Sequence, residues 1–184
     1  MNIKYPYFNE DHEGIREMAK DFAEKTLAPI AGEIDKTEAF PMDVVKTMAD
    51  MGFLGLKIPE EYGGLGLDMR SYVCVMEEIA KKCATATLFI SSANSLSTAP
   101  IVISGTPEQK EKYLPGVAAG ENFIAFGLTE PNAGSDAGGT ETTAVLKGDH
   151  YVLNGGKIFI TNAPKADTYV VFAVTTPDIG TRGI

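Results

Sequence analysis

The sequence has no tryptophan, only two cysteines and only two histidines among 184 residues, and each shortage removes a class of chemistry. Cys74 and Cys83 lie nine apart on one helical stretch. They fit no metal-ligand spacing and are too few for a disulfide framework, so both read as core thiols in a reducing compartment. His12 and His150 stand far apart, with no carboxylate or cysteine at ligand spacing, and read as helix-surface and turn positions rather than metal ligands. Positive charge is scarce too. Sixteen basic against 25 acidic residues give a formal net charge of -9. No basic stripe is present to follow a phosphate backbone, which excludes nucleic acid as a partner. The opening MNIKYPYFNEDHEG has no apolar leader core, and no later apolar run approaches bilayer-spanning length. The expectation is a cytoplasmic protein with no membrane partner.

What is present is a hydrophobic fraction of 44%, enough for a buried core. Residues 1–118 read as helices joined by short loops. Asn9 caps a first helix with Ile15, Met18, Ala19, Phe22 and Ala23 on one face, and Pro29 punctuates its end. Pro41 suits the first turn of a second, with Val44, Val45, Met48 and Ala49 inward and Gly52 just beyond its end. After the glycine-rich stretch 53–66, a third helix spans about residues 68–82, with Tyr72, Val73, Met76, Ile79 and Ala80 as its buried stripe. A fourth covers about 86–103. Thr106, Pro107 and Gln109 open a short fifth helix ending near Leu114. Gly63, Gly64 and Gly66 lack the spacing and the preceding strand of a nucleotide fingerprint and read as a helix-end loop.

The pattern changes after Gly120. Residues 123–129, 140–146, 151–154, 157–161 and 168–175 are rich in threonine, aromatics and β-branched side chains, with turn signals at Gly148 and Gly155. They predict antiparallel strands. The fold class expected is therefore α+β: a helical bundle domain over 1–118, then an incomplete, antiparallel β-barrel-like domain over 119–184.

Two segments in the β half carry the chemistry. Residues 126–139, FGLTEPNAGSDAGG, set a polar, glycine-bearing loop directly behind an apolar strand, so backbone N-H groups and small hydroxyls can approach a planar, acceptor-rich ligand. Residues 157–163, KIFITNA, supply another strand ending on a hydroxyl, Thr161. The bland alternative for the first is an exposed hairpin loop, since Pro, Asn, Gly, Ser and Asp are ordinary turn residues. The second segment, and the helical half ahead of both, weigh against it. Glu130 invites a general-base reading, but it precedes Pro131 at a turn entry, where a carboxylate caps backbone N-H groups.

Both segments, and essentially the whole chain, resemble the acyl-CoA dehydrogenase family. That resemblance implies FAD as cofactor, with Phe126, Gly127, Leu128 and Thr129 on one side of the flavin and Phe159, Ile160 and Thr161 on the other. Phe159 stands where many relatives carry tryptophan. Ser135 would contact substrate or cofactor phosphates, and the segment 88–100 would line an acyl pocket, with Ser92 and Leu96 as substrate contacts. A buried helix packed through small residues is the competing reading there. The implied reaction removes a proton α and a hydride β to an acyl-CoA thioester carbonyl, the hydride going to flavin N5 and the electrons to an electron-transferring flavoprotein. The proton-abstracting glutamate would lie in a C-terminal helical domain, so no catalytic base is assigned here and no metal is expected. The chain is then expected to be a truncated form, inactive alone, of a protein that is a homotetramer at full length. The alternatives are an inactive flavin- or acyl-CoA-binding fragment or subunit needing a partner chain, an assembly subunit, and an acyl-CoA oxidase relative.

Overall fold

The first helix starts where the sequence offers its first good cap. In the computed structural model, which describes residues 6–184, Asn9 Oδ1 accepts from the His12 N-H and His12 Nδ1 accepts from the Asn9 N-H, each at 3.0 Å. This reciprocal box heads α1 (Glu10–Phe22), which widens into a π turn over Ala23–Leu27. The first five residues of the N-terminal segment read for a leader lie outside the described residues. Two compact units follow, Met1–Phe123 and Ile124–Ile184.

In the first unit, α1 is followed by α2 (Ala31–Thr37), α3 (Met42–Asp50), α4 (Met69–Ala80), α5 (Ala84–Ser91), α6 (Thr98–Ser104) and α7 (Pro107–Ala118). α1 packs along α4. Leu27, Met48, Phe53, Leu56, Ile58, Ile79, Ile90 and Leu114 are fully buried, each worth roughly 1.5–3 kcal/mol of transfer free energy. Thr106 and Gln109 form the expected capping box on α7, which runs on to Ala118 rather than stopping near Leu114. Gly64 leaves room for nothing larger, because a Cβ there would meet Ile58 O at 2.1 Å.

Four expectations about this unit are corrected. His12 is buried rather than on the helix surface; its Nε2 meets Asp68 Oδ1, the α4 cap, at 3.1 Å. The buried stripe of α4 is Ser71, Cys74, Val75, Glu78 and Ile79, with Val73 and Ala80 exposed. An apolar pattern misses it because Glu78 goes inside with its charge met by Arg16 at 3.1 Å and Lys81 at 2.8 Å. Met18, expected inside, is exposed. Finally, α5, a π turn over Ser92–Leu96, and α6 form one helical stretch, Ala84–Ser104, of 21 residues, long and apolar enough by length and composition to span a bilayer. Its serines, threonines and asparagine break the apolar run in the sequence without adding charge. Both cysteines are buried and free.

The second unit holds β1 (Ile124–Gly127), β2 (Thr143–Lys147), β3 (His150–Asn154) and β4 (Thr168–Val171). β2 and β3 make the expected antiparallel hairpin, Thr143 opposite Asn154. β1 and β4 instead pair in parallel, Ile124 with Thr168 through Gly127 with Val171, which corrects the all-antiparallel reading. Past β4, Val174 bridges to Thr143 and joins the two sheets. The architecture is α+β, a helical unit and a small sheet unit, with no closed barrel among the described residues. Residues 157–161 are not a strand. Phe159 and Asn162 both have left-handed backbone, with φ of 56° and 67°, which no extended strand accommodates.

Candidate functional site

β1 delivers the first segment. Its last residue, Gly127, accepts from the Phe172 N-H at 3.0 Å, and Phe126 turns aside to pack edge-on against Phe172 with ring centres 5.2 Å apart. Leu128 and Thr129 continue past the strand end and are half-buried. The second segment docks onto them: the Ile158 N-H donates to Thr129 O at 2.9 Å, and Lys157 Nζ donates to Leu128 O at 3.0 Å. Beyond that contact, Phe159 projects into solvent, 90% exposed, on its left-handed backbone. An aromatic ring held open in that conformation is a cost of about 1–2 kcal/mol that the surrounding fold must impose. Ile160 and Thr161 are half-buried. Tyr169 braces the far end by donating to Ala163 O at 2.6 Å.

Glu130 is the one buried carboxylate of this unit, and its surroundings fix its role. Lys157 Nζ lies 2.6 Å from Oε1, and the N-H groups of Glu141 and Thr142 donate to the two oxygens at 2.6 and 3.0 Å. Burial pushes the carboxyl's pKa up, but the Lys157 ammonium and the two backbone donors outweigh it and hold it at about 2. A carboxylate this fully engaged is no proton acceptor at neutral pH. Its grip on Glu141 and Thr142 also explains why β2 begins at Thr143 rather than at Thr140.

The sequence-derived residues are thus brought together unequally. Gly127, Leu128 and Thr129 meet the start of the KIFITNA segment through backbone bonds, with Phe159, Ile160 and Thr161 following on. Ser135 sits exposed on the intervening loop, outside that contact. In the helical unit, Ser92 and Leu96 are the first and last residues of the π turn. Ser92 is buried with its Oγ 3.1 Å from Ser97 Oγ, while Leu96 is exposed. Asn94 between them accepts from the Lys57 N-H and donates to Phe53 O and Ile90 O at 2.8–2.9 Å, fastening the loop after α3 to this helix. Lys157 and Asn162 were not singled out from the sequence. A lysine heading an otherwise apolar run was the available signal for the first; the second gives none, because its importance lies in its backbone angle.

This constellation fits a planar aromatic ligand with polar edges. Thr129 and Thr161 are half-buried beside the docked segment, and among the described residues Asn162 Oδ1 is a buried acceptor without a donor. Two small hydroxyls, an unmet acceptor and an exposed ring suit an isoalloxazine, which offers ring nitrogens, carbonyls and one N-H beside a broad apolar face.

Comparison with known proteins decides the family. The model for the N-terminal domain of acyl-CoA dehydrogenases matches residues 9–121, and the model for the middle domain matches residues 125–184. The chain belongs to the acyl-CoA dehydrogenase family. It is 54% identical over 178 residues to a 3-(aryl)acrylate reductase of Clostridium sporogenes, covering 97% of this chain and 47% of that protein. It is 50% identical over 179 residues to the caffeyl-CoA reductase-Etf complex subunit CarC of Acetobacterium woodii, with 97% and 47% covered. The solved structure of butyryl-CoA dehydrogenase from Megasphaera elsdenii superposes with a TM-score of 0.88 at 40% identity, covering 98% of this chain and 47% of that one. This acyl-CoA dehydrogenase family chain therefore spans about half the length of the relatives it matches, and its two matched domains coincide with the helical and sheet-bearing halves.

Proposed function

We propose that this chain forms the helical and flavin-facing part of an FAD-dependent acyl-CoA dehydrogenase, acting across the α,β carbon-carbon bond of a CoA thioester. The observation that carries the reading is the docking of the KIFITNA segment on the end of β1, which brings the half-buried Thr129 and Thr161 to one junction. When bound, FAD supplies the hydride acceptor. Thr129 and Thr161 orient it by donating to its ring edge, Gly127 and Leu128 line it, and Phe159 and Ile160 cover it from water. Ser135 offers a hydroxyl to substrate or cofactor phosphates. Ser92 and Leu96 belong to the π turn that we assign to the acyl pocket, where Leu96 supplies the exposed apolar contact. The α-proton must leave to a carboxylate other than Glu130, which is committed to Lys157 and two backbone N-H groups. Electron-transferring flavoprotein as redox partner, a homotetrameric native protein and a cytoplasmic location complete the proposal.

A second reading runs the reaction toward the saturated acyl group. Two relatives, at 54% and 50% identity, are named as a 3-(aryl)acrylate reductase and as a subunit of a caffeyl-CoA reductase-Etf complex. One experiment addresses both directions. The native full-length protein is purified, its flavin absorbance recorded, and short-chain acyl-CoA added without oxygen; bleaching that electron-transferring flavoprotein reverses is the expected result. Reoxidation of the reduced protein by an arylacrylyl-CoA would favour the second reading, and direct consumption of oxygen an oxidase. A protein that takes up no flavin would sink the assignment.

A further inference from the structure

Lys157 joins the two halves of the candidate site. Its ammonium donates to Leu128 O at 3.0 Å and to Glu130 Oε1 at 2.6 Å, with the side chain only 11% exposed. Its stem lies against Gly127, where an added Cβ would sit 3.5 Å from Lys157 Cγ. The next residue secures the following peptide, since the Ile158 N-H donates to Thr129 O. Both peptide units flanking Thr129 are therefore tied to one dipeptide. In a trans peptide the C=O and N-H point in opposite directions. Drawing the Leu128 carbonyl toward Lys157 thus turns the Thr129 N-H away from it and fixes the backbone that carries the Thr129 hydroxyl.

We propose that Lys157 is a positioning residue for the flavin: its bond to the Leu128 carbonyl sets the direction of the Thr129 N-H and hydroxyl, and Glu130 anchors the ammonium that makes this bond. The inference rests on the flavin reading given above. The alternative is that Lys157 and Glu130 form an ion pair of purely structural value. The two roles differ in what can be substituted. A buried ion pair replaced at both ends by neutral groups of similar shape often leaves stability unchanged. The carbonyl bond is lost with any side chain that cannot donate.

The test uses the native full-length protein and compares Lys157→Met/Glu130→Gln with Lys157→Gln/Glu130→Gln, both neutral, only the second able to donate at position 157. Three quantities are read: melting temperature of the apoprotein, FAD affinity on reconstitution, and the shape of the bound flavin's visible bands. The expected result is a similarly lowered melting temperature for both, because Glu130→Gln turns an amide NH2 toward one of two backbone N-H donors, with at least a tenfold weaker FAD affinity and altered bands for the methionine pair, and recovery of both in the glutamine pair. Equal FAD affinity and unchanged bands in all three proteins would overturn the proposal while leaving the flavin reading intact. If neither double variant folds, Lys157→Arg decides: it keeps charge and donors, so wild-type bands and affinity are expected, and a loss as large as that of Lys157→Met counts against the role. Failure of the wild type to bind FAD would sink the functional reading itself.

Discussion

At Glu130, a buried carboxylate survives because every oxygen has a donor. Its pKa, held at about 2 against an ordinary value of 4.5, links that arrangement to pH. As pH falls, the unfolded chain takes up the proton first, so the stability contributed is complete above about 4.5 and is lost as pH drops toward 2. Acid titration of thermal stability in wild type and Glu130→Gln should show the wild type losing more over that window; parallel curves would mean that the carboxylate contributes nothing ionic. The role of Glu130 was legible in the sequence, because a carboxylate ahead of proline at a turn entry has an evident use. The conformation of Phe159 was not. Nothing in KIFITNA announces a left-handed aromatic, since that angle is imposed by the docking of the segment on β1 rather than by local preference.

Among the elements, the 21-residue stretch Ala84–Ser104 shows how polar groups can build a core. Asn94 spends its side-chain amide on three backbone groups, two of them in the loop after α3. Replacement by alanine leaves those groups buried and unmatched, so Asn94→Ala should destabilise the protein by at least about 2 kcal/mol, measurable by urea denaturation. Helix existence and caps were readable from residues such as Asn9 and Thr106, because capping is a local hydrogen-bond requirement. The face of α4 was not, because Glu78 enters the interior with its charge met by Arg16, which is distant in sequence, as well as by the neighbouring Lys81. The parallel pairing of β1 with β4 was equally hidden. Alternation of side chains identifies a strand and says nothing about the direction of its neighbour.

For the molecule as a whole, a cofactor that binds the folded state alone adds to its stability by mass action, by about 2.7 kcal/mol at a free concentration one hundred times Kd. On the flavin reading proposed above, the native protein stripped of FAD should melt lower and regain its melting temperature in step with added FAD; a melting temperature indifferent to FAD would show that the folded state does not bind it. The register of the second unit has a consequence for how the protein is made. The β2–β3 hairpin closes through neighbours in the chain, whereas Ile124 must wait for Thr168, with the entropy of a long loop to overcome. During synthesis β1 leaves the ribosome well before its mate exists. The proposed flavin site is thus completed late, once residues 168–171 have emerged to pair with β1.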